Sequence, residues 1–269
     1  MLYSSWQQGE MTQELLYDKR GEVGWITFNR PQARNALTFA MYEGLAEICA
    51  RVAETREVKA LVITGAGDKA FAAGTDIAQF QAFKDGEDGI AYERKMDRTL
   101  DIIERCAVPT IAAIAGFCTG GGAAIAAVCD LRLASTNAQF GFPIARTLGN
   151  CLSMANYARL ATLIGPQRTK EVIFLAKLID GPTALSIGLV SELLPDAASL
   201  HARADEVART VANHAPLTLQ VTKEALRRLQ ARLGDDDIDD LIRLAYGSSD
   251  FREGMAAFLA KRAPKWTGT

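Results

Sequence analysis

The run from 109 to 130, PTIAAIAGFCTGGGAAIAAVCD, constrains the fold of this chain more than any other stretch. Residues 110–117 are apolar, short and bounded by Pro109 and Gly116, the pattern of a buried strand, and 123–128 are small and apolar, the pattern of a closely packed helix. Between them Gly120, Gly121 and Gly122 carry no Cβ, so another molecule can come close to the peptide N–H groups. The opening N–H groups of a helix have no partner inside it and carry the positive end of its dipole. A strand, a glycine bend and a helix start in that order make a site for a negative oxygen.

The residues around the bend narrow down which oxygen. A phosphate cradle of the P-loop kind needs G-x-x-x-x-G-K-[ST], yet Ala123 and Ala124 follow the glycines, and the dinucleotide spacing G-x-G-x-x-G is also absent. A neutral bend without a basic residue suits a carbonyl oxygen that gains charge only in a transition state. The stretch 107–129 holds no charged residue and is long enough to cross a bilayer, but Pro109, four glycines and the lack of an aromatic belt speak against a span.

The rest of the chain reads as support for this run. Strands are expected at 14–19 and 22–29 around the Arg20-Gly21 turn, with Pro31 ending the pairing. Thr38 suits the N-cap of a helix over 39–54, and 60–64, ALVIT, is a further buried strand. The segment 71–77, FAAGTDI, repeats the logic of the glycine run: a small-residue bend and then a helical stretch to about Phe83, capped by Thr75 or Asp76. An exposed loop at 84–89, a helix over 90–106, a strand at 130–135 and a helix from near Cys151 follow, and from Pro166 onward the pattern is almost entirely helical. Strands alternating with helices define an α/β chain with two bends that each offer N–H donors.

Bulk composition excludes several classes of function. A net charge of −2 leaves no electrostatic footprint for nucleic acid or an anionic membrane surface, which favours a small-molecule partner. Five cysteines without a C-x-x-C pair argue against a disulfide framework and fit a reducing cytoplasm. The opening MLYSSWQQGEMTQ has no charged start followed by an apolar core, so no secretory signal is visible. No Cys/His cluster has the spacing of metal ligands. Cys118 has no histidine near it in sequence, since His201 and His214 belong to the helical half, and it reads as a buried filler.

Four motifs in order, Asn29-Arg30-Pro31 with Asn35-Ala36-Leu37, then 71–76, then Gly116 with Gly120-Gly121-Gly122, then Cys129-Asp130, resemble the crotonase superfamily, the enoyl-CoA hydratase/isomerase family. The similarity runs from about residue 13 to 267. It implies a spiral of strand-strand-helix repeats over 1–200 and a helical C-terminal trimerisation region over 201–269, assembled as a homotrimer or a dimer of trimers. It also implies a cytoplasmic lyase or isomerase of fatty acid metabolism acting on acyl-CoA thioesters, with no cofactor beyond the CoA moiety and no metal. By matching motif positions, the oxyanion hole is the backbone N–H of Thr75 and that of Gly121, and contacts to CoA fall to Arg34, Ala73, Asp76, Ile77, Gly120 and Lys261. The family's usual residue at 75 is Ala, but a backbone donor survives the change to Thr.

The likeness breaks at the proton-moving residues. A hydratase of this family resembles G-G-G-x-E with a second Glu after the Pro of F-G-x-P; here those positions are Ala124 and Ile144, and no carboxylate occurs between Asp130 and Glu171. Water activation needs a base within hydrogen-bond reach, so the two-glutamate route is not available. Isomerase, altered hydratase, malonyl-type decarboxylase and a catalytically silent acyl-CoA-binding or assembly member all stay open. Arg146 suits an acyl carboxylate in the decarboxylase reading or a solvated surface position, and Asn150 suits a helix cap or the positioning of water or an acyl oxygen.

Overall fold

The computed structural model describes residues 13–233 and 236–269. Residues 1–12, which hold most of the segment read as lacking a secretory start, lie outside the described residues. The elements are β1 (Leu15–Arg20), β2 (Val23–Phe28), α1 (Phe39–Thr55), β3 (Ala60–Gly65), β4 (Ala70–Ala72), α2 (Gly86–Glu104), β5 (Thr110–Ile114), β6 (Phe117–Thr119), α3 (Gly121–Val128) and β7 (Leu131–Ser135). The chain continues through β8 (Gln139–Gly141), α4 (Ile144–Thr147), α5 (Met154–Phe174), β9 (Ile179–Asp180), α6 (Gly181–Ser186), β10 (Glu192–Leu194), α7 (Ala197–Ala212), α8 (Pro216–Ala231), α9 (Asp239–Tyr246) and α10 (Ser249–Leu259).

Successive repeats put one strand into each of two sheets. The larger sheet runs β1-β2-β3-β5-β7-β10 and the smaller β4-β6-β8-β9. Thus β3 and β4, β5 and β6, and β7 and β8 are paired pieces of chain that switch sheet at a corner and end in a helical turn or helix. The apolar stretch 110–117, expected as one strand, breaks in this way: at Gly116 the backbone turns, its N–H donates to Asn137 Oδ1 at 3.1 Å, and β6 joins the second sheet.

Alternation along the strands of the larger sheet explains its burial on both faces. Val23, Trp25, Ala60, Val62, Ile111, Ala113 and Leu133 meet Leu200, Ala204 and Ala208 of α7. The intervening Ile26, Phe28, Leu61, Ile63, Ala112 and Ile114 join the main core with α1, α3 and part of α5. The expected division at 200/201 falls inside α7, whose small residues every four positions let it lie close to the sheet.

Three local expectations change. The loop at 84–89 is in fact the start of α2, which opens at Gly86 with Asp85 as N-cap; a Cβ on Gly89 would lie 2.3 Å from Tyr246 Cβ, so these glycines admit α9 rather than break the helix. The helical stretch to Phe83 is a single 3-10 turn over Ile77–Phe80. The helix expected near Cys151 begins at Met154 with Ser153 as its N-cap, and Asn150 is free for another partner. Among the described residues no helix is long and apolar enough to cross a membrane.

Candidate active site

Two bends meet at one wall of a cavity of about 520 Å³. The first is strapped to the segment after β2: Ala73 N–H donates to Arg34 O at 3.0 Å, Leu37 N–H to Gly74 O at 2.8 Å, and Asp76 N–H to Leu37 O at 2.8 Å. Asn35 holds that segment, accepting from Arg30 N–H at 2.9 Å and donating to Ala66 O at 3.1 Å and Ala70 O at 2.7 Å. The Thr75 N–H has no acceptor among the described residues.

The second bend is the glycine run. Gly120 takes φ 52° and ψ −121°, a conformation an L side chain rarely adopts, and α3 starts at Gly121. A Cβ at Gly121 would lie 1.8 Å from the Tyr42 hydroxyl and 3.1 Å from Thr75 Oγ1, so the two bends are in contact and only glycine fits. The Gly121 N–H, at the first helical position, also lacks an acceptor among the described residues. Thr75 and Gly121 both line the cavity.

Thr75 brings more than its backbone. Its Oγ1 lies 2.9 Å from the Tyr42 hydroxyl and 3.0 Å from the Tyr92 hydroxyl. Burial pushes both phenols above their ordinary range, so they stay protonated. Three hydroxyls sharing two contacts use two of their three protons, leaving one donor beside the bends.

Of the positions assigned to CoA, Arg34, Ala73, Asp76, Ile77 and Gly120 line the cavity, and Lys261 does not, although Phe258 and Leu259 just before it do. The Asp76 carboxylate accepts from Ala78 N–H at 3.1 Å, capping the 3-10 turn, and pairs with Arg30 at 2.9 Å. Arg34 stacks over Phe117 at 5.1 Å. Ala124 and Ile144 face the same cavity, which leaves its apolar end without the two glutamates. Cys118 is fully buried, as expected of a filler.

Sequence reasoning passed over a carboxylate in this cavity. Glu93 of α2 is only 4% exposed and lines the cavity. Its Oε1 accepts from the Tyr246 hydroxyl of α9, and its Oε2 from Ser153 N–H at 3.1 Å. The Tyr246 hydroxyl in turn accepts from Asn150 Nδ2 at 3.1 Å, so Asn150 is a cavity residue rather than a helix cap. Burial pushes the Glu93 carboxyl up to about 8; the donors Tyr246 and Ser153 oppose that rise and the Asp97 charge adds to it. The available signal was position: Ile90, Glu93, Met96, Leu100 and Ile103 fall on the buried face of α2, and an acid in an apolar stripe calls for an explanation.

No group of His, Cys, Asp and Glu among the described residues is arranged to hold a metal. The family model "Enoyl-CoA hydratase/isomerase" matches residues 18–269. The chain is 33% identical over 258 residues to a short-chain-enoyl-CoA hydratase of Clostridium acetobutylicum, covering 92% of this chain and 95% of that one. Among solved structures, an enoyl-CoA hydratase/carnithine racemase from Magnetospirillum magneticum superposes with a TM-score of 0.77 at 31% identity, covering 96% of this chain and 97% of that one. A methylmalonyl-CoA decarboxylase in complex with 2-nitronate-propionyl-CoA superposes with a TM-score of 0.85 at 26% identity, covering 96% and 99%. A spiral of paired strands, two touching small-residue bends over one cavity, and these matches along nearly the whole length agree: the chain belongs to the enoyl-CoA hydratase/isomerase family of the crotonase superfamily.

Proposed function

We propose that this protein is an enzyme acting on acyl-CoA thioesters, and that it stabilises a thioester enolate between the N–H groups of Thr75 and Gly121. The observation that carries this reading is that two N–H groups without acceptors among the described residues sit on touching bends at the wall of one cavity. Removing a proton or a carboxyl group from the carbon next to a thioester moves an electron pair onto the carbonyl oxygen. Donors already in place stabilise that charge without reorganising, and losing one such donor typically costs about a hundredfold to a thousandfold in rate.

A backbone donor is tested by proline, which lacks the N–H and is tolerated at the first helical position. Gly121→Pro alone would drive a Cβ into the Tyr42 hydroxyl, so the variant is made in a Tyr42→Phe background and compared with Tyr42→Phe itself. The expected result is intact CoA binding by calorimetry with turnover reduced by about 10²–10³. Equal turnover in the two variants refutes the donor role.

A panel of crotonyl-CoA, a 3-enoyl-CoA and a malonyl-type CoA ester sorts hydration, isomerisation and decarboxylation. Decarboxylation is favoured by Arg146, which lines the cavity and has no ion pair among the described residues, placing a cation where an acyl carboxylate can reach it. The panel also addresses the silent alternative, for which saturable CoA binding without turnover of any ester is the signature. The assembly we propose is a homotrimer or a dimer of trimers; in its support, α8 buries none of its residues and leaves Leu217 71% and Val221 67% exposed.

A further inference from the structure

We infer that Glu93 is the group that moves the proton at the acyl carbon, held for that task by Tyr246 of the C-terminal helices and taking up the work for which Ala124 and Ile144 have no functional group. The inference rests on the enolate reading above and adds to it the residue that makes the enolate.

Elimination within the cavity is the first argument. Among the described residues its lining holds two carboxylates, Asp76 and Glu93, and neither histidine, cysteine nor lysine. Asp76 is committed to the 3-10 turn and to Arg30. The phenols of Tyr42 and Tyr92 are pushed well above neutral by burial. Glu93 is the lining group left that can take and return a proton near neutral pH.

Cost is the second argument. A buried carboxylate that serves only as a structural tie is normally matched by a cation, because an unpaired charge out of water is expensive. Glu93 has no ion pair among the described residues; its partners are one hydroxyl and one N–H. Arg159, the basic residue nearby on α5, is spent on Asp97 at 3.7 Å and Glu104 at 2.8 Å. An acid held out of water without a matching cation is easy to protonate, and that is what a proton carrier requires.

Position is the third. Glu93 lines the same cavity as Thr75, Gly121 and Tyr42, and the Tyr42 hydroxyl is wedged against Gly121 and bonded to Thr75, so the carboxyl and the two bends face one space. The step balances without a co-reactant. The Glu93 carboxylate takes the proton from the carbon next to the thioester carbonyl, the C–H electron pair becomes the enolate double bond, and the charge rests on the oxygen held by Thr75 and Gly121. The carboxylic acid then returns the proton to that carbon, or to the far end of an adjacent double bond.

The titratable and charged groups around Glu93 are Tyr92 and Asp97 on α2, Tyr42 on α1, Tyr246 on α9, Cys151 before α5 and Tyr157 on α5, with Arg159 of α5 paired to Asp97. Burial pushes the phenols and the thiol of this group further above their already basic ranges and raises the Asp97 carboxyl, while the Glu93 carboxyl is pushed up to about 8. Exchange therefore rises with pH through about 8.

The test is exchange of the α-protons of butyryl-CoA in D2O, followed by NMR, with binding measured by calorimetry. Glu93→Gln is expected to keep binding and to lose exchange by about 10²–10⁴-fold. Glu93→Asp, which keeps the acid on a shorter arm, is expected to retain partial exchange with the same rise with pH, and it carries the test if the glutamine variant fails to fold. Tyr246→Phe removes a donor that favours the ionised carboxyl, so its pH profile moves to higher pH; a merely structural role leaves the profile in place. Full exchange by Glu93→Gln, while Tyr42→Phe/Gly121→Pro loses it, overturns the Glu93 assignment and leaves the enolate reading standing. A wild-type protein that binds butyryl-CoA and exchanges nothing overturns the Glu93 assignment, and if it also turns over no ester of the panel it overturns the enolate reading with it.

Discussion

Replacing Glu93 by glutamine also makes a stability prediction that needs no substrate. Burial lifts this carboxyl from an ordinary 4.5 to about 8. A group whose folded-state pKa lies above its unfolded value favours folding fully below the unfolded value and loses that contribution as pH rises through the folded one. The span is 8 − 4.5 = 3.5 units, which at about 1.36 kcal/mol per unit is on the order of 5 kcal/mol, with roughly 3 kcal/mol already lost by pH 7. Water entering the cavity shrinks the effect without changing its sign or window. Glutamine does not titrate there, so the stability of Glu93→Gln relative to wild type should climb by about 2–5 kcal/mol between pH 4.5 and 8. Urea unfolding of both proteins at one protein concentration, from pH 5 to 9, measures it, and any constant offset reports only altered hydrogen bonding. Two curves that stay parallel across that range would show the carboxyl ionised in the folded state, and the argument that burial outweighs its two donors would be wrong.

Two further outcomes are expected. Asn35→Ala removes three hydrogen bonds beneath the first bend, leaves Ala70 O buried without its donor and gives up a residue suited to φ 54°, so unfolding should be easier by about 3 kcal/mol; an unchanged urea midpoint sinks that account. Leu217→Asp with Val221→Asp places two charges on the exposed apolar stripe of α8 and should convert the assembly to a smaller species on native mass spectrometry, with unfolding of the monomer little changed; an unaltered mass shows that this helix is not an interface.

The bends were legible in the sequence because they depend on local chemistry. Three consecutive glycines after an apolar strand, and FAAGTD before a short turn, state their own backbone requirements wherever the chain places them. Thr38 caps α1 as read, through Met41 N–H at 3.4 Å, because a cap is a bond across three residues. The strand expected over 110–117 ends early because its corner is set by Asn137, which lies in a later repeat. Residues 84–89 carry the glycine and aspartate that mark turns, whereas here α9 comes down on Gly86 and Gly89 and needs them bare.

What the sequence alone determined is the repertoire: which segments alternate, where N–H groups are left without partners, and which glutamates are missing. What only the tertiary structure decided is company. Thr75 reads as a tolerated exchange until Tyr42 and Tyr92 arrive at its hydroxyl from 33 and 17 residues away. Glu93 gains its character only when Tyr246 reaches it across 153 residues of chain and burial lifts its carboxyl. The physical reason is that a side chain's polarity is a property of the residue, but its ionisation is a property of the dielectric and the donors around it, and those are assembled by elements distant in sequence.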